Sequence, residues 1–471
     1  MSAIKLKDIN FTYEGMKQKA LEDIDFFMEY GELALLSGVS GSGKSTLMNI
    51  IAGIIPHVIK GQLSGEIYID DKNTKGLSMG QICRSVGVVL QNADAQIIQD
   101  IVEAEIAFGC ENLGMKASDI KESIDTACDR MKLDKTASTR TLSGGQKQRL
   151  ITASVLAMRQ KILILDEPLA NLDMQGAKLL MTSLLYLAKS GYAILVIEHR
   201  LDSVMDYVDR VWHIEDGNIF MVNDKQKYLL SRAESINDDI GQILGQGNIM
   251  SLENVKYKVA KKDILKGIDL QIARGGRTLL MGENGSGKTT LMRLISRLIK
   301  PCEGKITQFI GKSLGQKRAS KKWFRKVGVV YQNPNYQLFM PTVKKELEFG
   351  ATSKEYAMEI AERFFLTHLL DRHPQSLSEG QKRLVTIASV VATEPQVLLL
   401  DEPTVGQDYQ GLKRLMSILN DLHLKSQNTI IATTHDKRCI DALCDNTAII
   451  SDGVISACGT KKLAHDFLQR K

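Results

Sequence analysis

At 471 residues the chain is too long for one ordinary hydrophobic core and suits two or three domains. Its 44% hydrophobic and 25% charged residues are the composition of a soluble globular protein, and a net charge of +6 permits an anionic partner without requiring one. It has no uninterrupted apolar run of about 18 residues, so no helix is expected to span a bilayer on its own.

Taken in order, the chain begins Met1-Ser-Ala-Ile-Lys-Leu-Lys-Asp8, charged from the start and without an apolar signal core, so secretion is not expected. The apolar run Leu33 to Leu36 leads into Gly38-Val-Ser40-Gly41-Ser-Gly43-Lys44-Ser45-Thr46, and Leu47 to Ile51 begins a helix behind it. This is the pattern G-x-x-x-x-G-K-[ST]: glycines let backbone N–H groups curl around phosphate, the lysine reaches the terminal phosphates, and the hydroxyl holds Mg2+. Val86 to Leu90 reads as a strand ending at Gln91. Beyond it Ile120, Ile124, Ala127, Cys128 and Met131 recur at helical spacing after Ser118, the expected N-cap. Leu142-Ser143-Gly144-Gly145-Gln146 opens a helix from Gln146 to Met158, where backbone N–H groups, the helix dipole and one hydroxyl make an anion site. The strand Ile162 to Leu165 delivers Asp166-Glu167-Pro168 to the C-terminal edge of the sheet, where α/β folds bind ligands. His199 follows the strand Ala193 to Ile197.

This pattern fades after Asp216-Gly217-Asn218. Residues 225–248, polar and helix-compatible until Gly241, Gly245 and Gly247, read as a linker between domains at 1–224 and 249–471. The second domain repeats the first. Asn254-Val-Lys-Tyr257 matches Asn10-Phe-Thr-Tyr13, and Gly282-Glu-Asn284-Gly285-Ser-Gly287-Lys288-Thr289-Thr290 matches the first loop at the same offset of 244. The offset falls to 241 at Gln332 and 235 at Ser378 and Asp401, so the second copy has lost a few residues at two places. A repeat a whole domain long is a tandem duplication, not a solenoid. Strand-like runs alternating with helical patterns argue for an α/β fold: two tandem domains, each a mostly parallel sheet core with a small antiparallel part and a helical subdomain. Ala357, Ile360, Ala361, Phe364 and Phe365 mark that subdomain in the second copy. The seven cysteines are scattered without a C-x-x-C pair, which suggests reduced, mostly buried thiols in a cytosolic compartment, and nothing completes a zinc site around Cys439 and Cys444.

The acid pairs fit phosphoryl transfer, which is catalysed mainly by positioning and charge stabilisation. Asp166 and Asp401 should hold Mg2+ through water, while Glu167 and Glu402 orient or deprotonate the attacking water. Gln91 and Gln332 can reach Mg2+ or that water with a neutral amide, and His199 and His435 can hydrogen-bond the γ-phosphate. Candidate metal sets are thus Ser45, Gln91 and Asp166 in one copy and Thr289, Gln332 and Asp401 in the other.

Phosphate loop, Gln, Leu-Ser-Gly-Gly-Gln, Asp-Glu and His, in this order, resemble the ATP-binding cassette ATPases over nearly the whole chain, twice. The resemblance implies ATP and Mg2+ as cofactors and head-to-tail pairing of the two cassettes. Site one would then use Lys44, Ser45, Gln91, Asp166, Glu167 and His199 with Ser378, Gly380 and Gln381. Site two would use Lys288, Thr289, Gln332, Asp401, Glu402 and His435 with Ser143, Gly145 and Gln146. Tyr13 and Tyr257, each 25 residues before its loop glycine, would stack on adenine. One departure is Leu377-Ser378-Glu379-Gly380-Gln381, with Glu379 where the first copy has Gly144. If that carboxylate points away the backbone cradle survives, and both sites are expected to hydrolyse ATP.

Gln91-Asn-Ala-Asp-Ala-Gln-Ile97 followed by Val102 to Gly109, with its counterpart Gln332 to Phe339 followed by Val343 to Gly350, resembles the energy-coupling factor (ECF) transporter ATPases. That resemblance implies work at the cytoplasmic face of the membrane, driving a membrane T component and substrate-binding S components that import vitamins or metal ions. Ile97, Ile98, Leu338, Phe339 and Met340 would line the docking groove. The alternative is a soluble twin-cassette ATPase acting on ribosomes or nucleic acid. It draws on the basic run Lys312 to Lys326, with Trp323 and Phe324 beside it; a solvated face before a strand accounts for so short a run better, and no nucleic-acid partner is expected.

Overall fold

The computed structural model describes residues 2–170, 172–232, 236, 247–259, 262–308 and 321–469, and the chain divides into two compact units, 1–233 and 234–471. In the first, Ser2–Tyr13 (β1) and Leu21–Glu29 (β2) pair antiparallel, Leu33–Gly38 (β3) leads to the phosphate loop, and Gly61–Ile69 (β4) and Lys72–Asn73 (β5) complete a sheet ordered β2-β1-β4-β5. Val86–Val89 (β6), Ile162–Asp166 (β7), Ala193–Ile197 (β8), Arg210–Glu215 (β9) and Asn218–Met221 (β10) join β3 in a six-stranded sheet ordered β10-β9-β3-β8-β7-β6. Only β10 runs antiparallel to its neighbour.

The apolar runs become central strands because both their faces are covered. Along β7, Ile162 and Ile164 pack toward the antiparallel sheet with Phe11 and Phe26. Leu163 and Leu165 pack on the other face among the helices, with Leu150 and Leu184. Burying each such side chain stabilises the unit by about 1.5–3 kcal/mol before conformational entropy is set against it.

The second unit follows the same plan. Asn248–Val259 (β11), Lys262–Ala273 (β12), Arg277–Met281 (β13), Glu303–Gln308 (β14), Val327–Val330 (β15), Val397–Asp401 (β16), Thr429–Thr433 (β17), Asn446–Ser451 (β18) and Val454–Thr460 (β19) form sheets ordered β12-β11-β14 and β15-β16-β17-β13-β18-β19. A helical subdomain interrupts each unit, Val102–Asn112 and Ala117–Met131 in the first, Val343–Glu348 and Lys354–Arg363 in the second.

Several boundaries differ from the sequence pattern. The helix Ala117–Met131 is capped at Lys116, so Ser118 lies inside its first turn. In the second subdomain Phe364 is buried, whereas Phe365 turns outward with φ of 57° after the helix has ended at Arg363. Within the stretch read as linker, Lys225–Leu230 is a helix capped by Asp224, and its Tyr228 is buried with the hydroxyl 2.5 Å from His213 Nδ1. Gly241 and Gly245 lie outside the described residues, as do residues 312–320 of the basic run. Trp323 belongs to the core: it is 1% exposed and donates its Nε1–H to the Ser296 carbonyl, while Phe324 is exposed.

Candidate functional site

Each phosphate loop joins a buried strand to a helix, β3 to Lys44–Ile51 and β13 to Lys288–Ile295. Gly43 and Gly287 cap those helices at φ of 111° and 109°, a left-handed conformation that a side chain opposes. At Gly38 a Cβ would lie 2.2 Å from the Ile214 carbonyl oxygen, and at Gly282 2.3 Å from that of Ile450. Here glycine is required by close approach of the neighbouring strand. Lys44 Nζ lies within its own loop, donating to the Gly38 and Val39 carbonyls at 2.8 and 2.7 Å. Lys288 repeats this on Gly282 and Glu283 at 2.8 and 3.0 Å. Ser40, Gly41, Asn284 and Gly285 form the exposed rim, Ser45 opens to solvent, and Thr46, Thr289 and Thr290 are at least partly covered.

The acid pairs end β7 and β16, so that both carboxylates reach the sheet edge beside the lysines. Glu167 accepts from Gln91 Nε2 at 2.6 Å through one oxygen and lies 3.2 Å from His199 Nε2 through the other. The sequence-predicted base, amide and imidazole of the first copy therefore meet. Burial pushes the Glu167 carboxyl up, but His199, Lys44 and Gln91 together hold it below the usual carboxylate range. Burial and the adjacent Glu167 instead push Asp166 up to about 7, against Lys44 and His199. In the second copy His435 Nε2 lies 3.4 Å from Glu402. Asp401 is built in more firmly, accepting from the Thr289 hydroxyl at 3.0 Å and the Thr433 hydroxyl at 2.8 Å. Gln332 is exposed, its backbone carbonyl accepting from Arg383.

The serines of both signatures are helix N-caps. Ser143 and Gln146 exchange side-chain-to-backbone hydrogen bonds at 3.3 and 2.9 Å, as do Ser378 and Gln381 at 3.3 and 3.1 Å, which fixes the loop that presents Gly144, Gly145 and Gly380. Glu379 Oε1 accepts from Lys382 Nζ at 3.0 Å, so its charge is met on its own helix. Gly380 is held from behind as well: Gln407 Nε2 donates to its carbonyl at 2.8 Å, where the first copy has buried Leu172. Asp173 and Asp408 each cap the helix that follows the acid pair. Tyr13 places its hydroxyl 2.8 Å from Thr46 Oγ1, with its ring edge-on to Phe11; Tyr257 is partly buried in β11. Of the apolar residues near the glutamine loops, Ile98 and Phe339 are exposed, Leu338 is buried, and Ile97 packs against the core.

Two pairs that shape the loops beside the site were not singled out in the sequence. Gln96 folds its loop back by bonding both the Leu90 N–H and the Val88 carbonyl, and Gln337 does the same at Tyr331 and Val329. Buried Glu105 accepts from Ile98 and Gln99 N–H, and Glu346 from Phe339 and Met340 N–H. Each pair sits 241 residues apart, the offset of Gln91 and Gln332, and that constancy was the available signal.

A glycine loop wrapped around a lysine at the head of a helix, facing an acid pair at the end of a parallel strand, defines a P-loop nucleotide hydrolase. The family follows from the sequence: residues 21–170 and 265–405 each match the ABC transporter family, and the chain belongs to it as a tandem ATP-binding cassette ATPase. A protein of Treponema denticola named as an ABC transporter ATP-binding protein is 32% identical, with 98% of each chain covered. A Bacillus subtilis protein named for HMP/thiamine import, YkoD, is 31% identical over 95% of this chain and 90% of its own. Among solved structures, the one titled as ribosome-bound archaeal Pelota and ABCE1 has a TM-score of 0.72 at 18% identity, covering 98% of this chain and 80% of that one. At that identity the likeness is one of fold.

Proposed function

We propose that this ATPase is the energy-coupling subunit of an ECF-type membrane importer of a vitamin or a metal ion, peripheral at the cytoplasmic face. Two cassettes, at 1–224 and 249–471, would be joined by 225–248, whose helix Lys225–Leu230 docks on the first unit, and pair head to tail into two ATP sites. The observation that carries the two-site part of this reading is the duplicated set: both halves keep lysine, acid pair and a histidine at its glutamate, 3.2 Å in one and 3.4 Å in the other. The relative named for HMP/thiamine import and the glutamine-loop segments support the transport class.

In this reading the loop N–H groups and Lys44 or Lys288 bind the phosphates. Oxygen donors from Ser45, Gln91 and Asp166, or from Thr289, Gln332 and Asp401, are of the hard type that suits Mg2+, which when bound would neutralise charge on the β- and γ-phosphates. Asp401 and Thr289, already 3.0 Å apart, fit such a role. Glu167, oriented by Gln91 and His199, is placed to take a proton from water, and Glu402 to do likewise. Ser143, Gly145 and Gln146, with Ser378, Gly380 and Gln381, would close over the phosphates bound by the opposite half. Tyr13 and Tyr257 would flank adenine. No helix among the described residues is long and apolar enough to cross a membrane, so the path itself belongs to partners.

Detergent extraction followed by affinity purification of the full chain tests the class. Small hydrophobic membrane proteins should accompany it, and their loss should abolish vesicle uptake. Ribosomes or nucleic acid retained at high salt in their place would overturn the transporter reading in favour of the soluble one.

A further inference from the structure

Each half ties its glutamine loop to its signature helix, but with different atoms. In the first, Lys147 on the helix Gly144–Ala157 meets Asp94 Oδ1 at 2.5 Å, in the turn just after Gln91. The equivalent positions in the second half, at offsets of 235 and 241, are Lys382 and Asn335. Lys382 bonds Glu379 instead, and Asn335 Oδ1 is buried with no hydrogen-bond partner among the described residues. One residue along, where the first half has Gln148, Arg383 reaches across: Nη1 donates to the Tyr331 carbonyl at 2.6 Å and Nη2 to the Gln332 carbonyl. Arg383 is 3% exposed, and a buried guanidinium must keep its acceptors, so helix and loop fix one another. Burial pulls its pKa down to about 10, against the carboxylates of Asp401, Glu402 and Glu379.

We propose that Arg383 is the positioning residue of the second glutamine loop, holding Gln332 toward the Asp401–Glu402 pair, a task performed in the first half by the Lys147–Asp94 ion pair. This rests on the reading of Gln332 as a ligand of the metal or of water. Three positions differ together between the halves, Asp94 against Asn335, Gly144 against Glu379 and Gln148 against Arg383, while Lys147 persists as Lys382 with a new partner. Glu379 is thereby explained as the acceptor that Lys382 takes where Asn335 stands in place of Asp94.

The test uses the full chain carrying Glu167→Gln, so that turnover reports on the second half. There Arg383→Gln should lower kcat about tenfold with KM changed less than about twofold, the split expected when a transition-state interaction is lost. Gln332→Ala should match it, and the double variant should be no worse than Gln332→Ala alone. In binding titrations with a fluorescent ATP analogue, both variants should need several-fold more Mg2+ for half-saturation. Adding Asn335→Asp and Glu379→Gly to Arg383→Gln installs the first half's wiring and should restore most of the turnover. Unchanged kcat in Arg383→Gln beside a reduced kcat in Gln332→Ala would overturn the proposal, as would losses that multiply in the double variant. Unchanged kcat in Gln332→Ala would instead refute the role of Gln332 itself, and the proposal with it. If Arg383→Gln unfolds the second unit, Asp94→Asn in a Glu402→Gln chain decides: a reduced first-half kcat supports the strap, and an unaffected one overturns it.

Discussion

Glu167 and Glu402 leave their strands with φ of 47° and 49°, a left-handed backbone that costs a non-glycine residue on the order of 1–3 kcal/mol. Neighbouring strands impose it, for Glu167 N–H donates to the Ile197 carbonyl and Glu402 N–H to the Thr433 hydroxyl. The turn aims each carboxylate at its histidine instead of along the strand. Replacing either glutamate with glutamine keeps the shape and, in the proposed function, removes the base. Each single variant should lose about 100-fold or more of the turnover of its own site, about 3 kcal/mol of barrier, and the pair should lose nearly all of it. Single-turnover ATP hydrolysis measures this, and a single variant with parental rates would remove that glutamate from catalysis.

The helix Lys225–Leu230 is held to β9 by the Tyr228–His213 contact. Burial, with Arg232 and Lys44 nearby, depresses His213 from 6.5 to about 4. As pH falls through that window the unfolded chain takes up a proton that the folded one refuses, so stability is lost on acidification between about 6.5 and 4. The first unit's melting temperature should therefore fall more between about pH 7 and about pH 5 in the parent than in His213→Gln, and equal falls would assign the acid sensitivity elsewhere. Nothing in the local pattern announced this helix as part of a domain, because its docking rests on few contacts: buried Tyr228, partly buried Leu229 and the Lys225 bond to the Val208 carbonyl. The central strands were legible, since runs such as Ile162–Leu165 and Val397–Leu400 admit little else. Caps were less so: Ser118 has the right chemistry, but the helix begins two residues earlier than that cap implies, at Ala117 after Lys116. The site was readable where a spaced motif carries the residue, as at Lys44 or Glu167. It was opaque where they face backbone, as with Gln96, Glu105 and Arg383, whose roles depend on loops that only the folded chain brings near.

For the chain as a whole, duplication makes a countable prediction. With Glu167→Gln and Glu402→Gln combined to prevent turnover, calorimetric titration should find two ATP bound per polypeptide, and removing Lys288 should leave one. A single site in the intact chain would refute equivalent binding competence of the halves. Their divergence has a further consequence at Glu379 and Lys382. In an assembly of two identical subunits encoded by one gene, any change to a signature appears in both sites at once, and a harmful version is exposed twice. A fused gene spells each half separately, so one signature can drift, acquire a local counter-charge and specialise while the other is preserved. Leu377-Ser378-Glu379-Gly380-Gln381 carries an acid that Leu142-Ser143-Gly144-Gly145-Gln146 lacks, a change that identical subunits from one gene could make only in both sites at once.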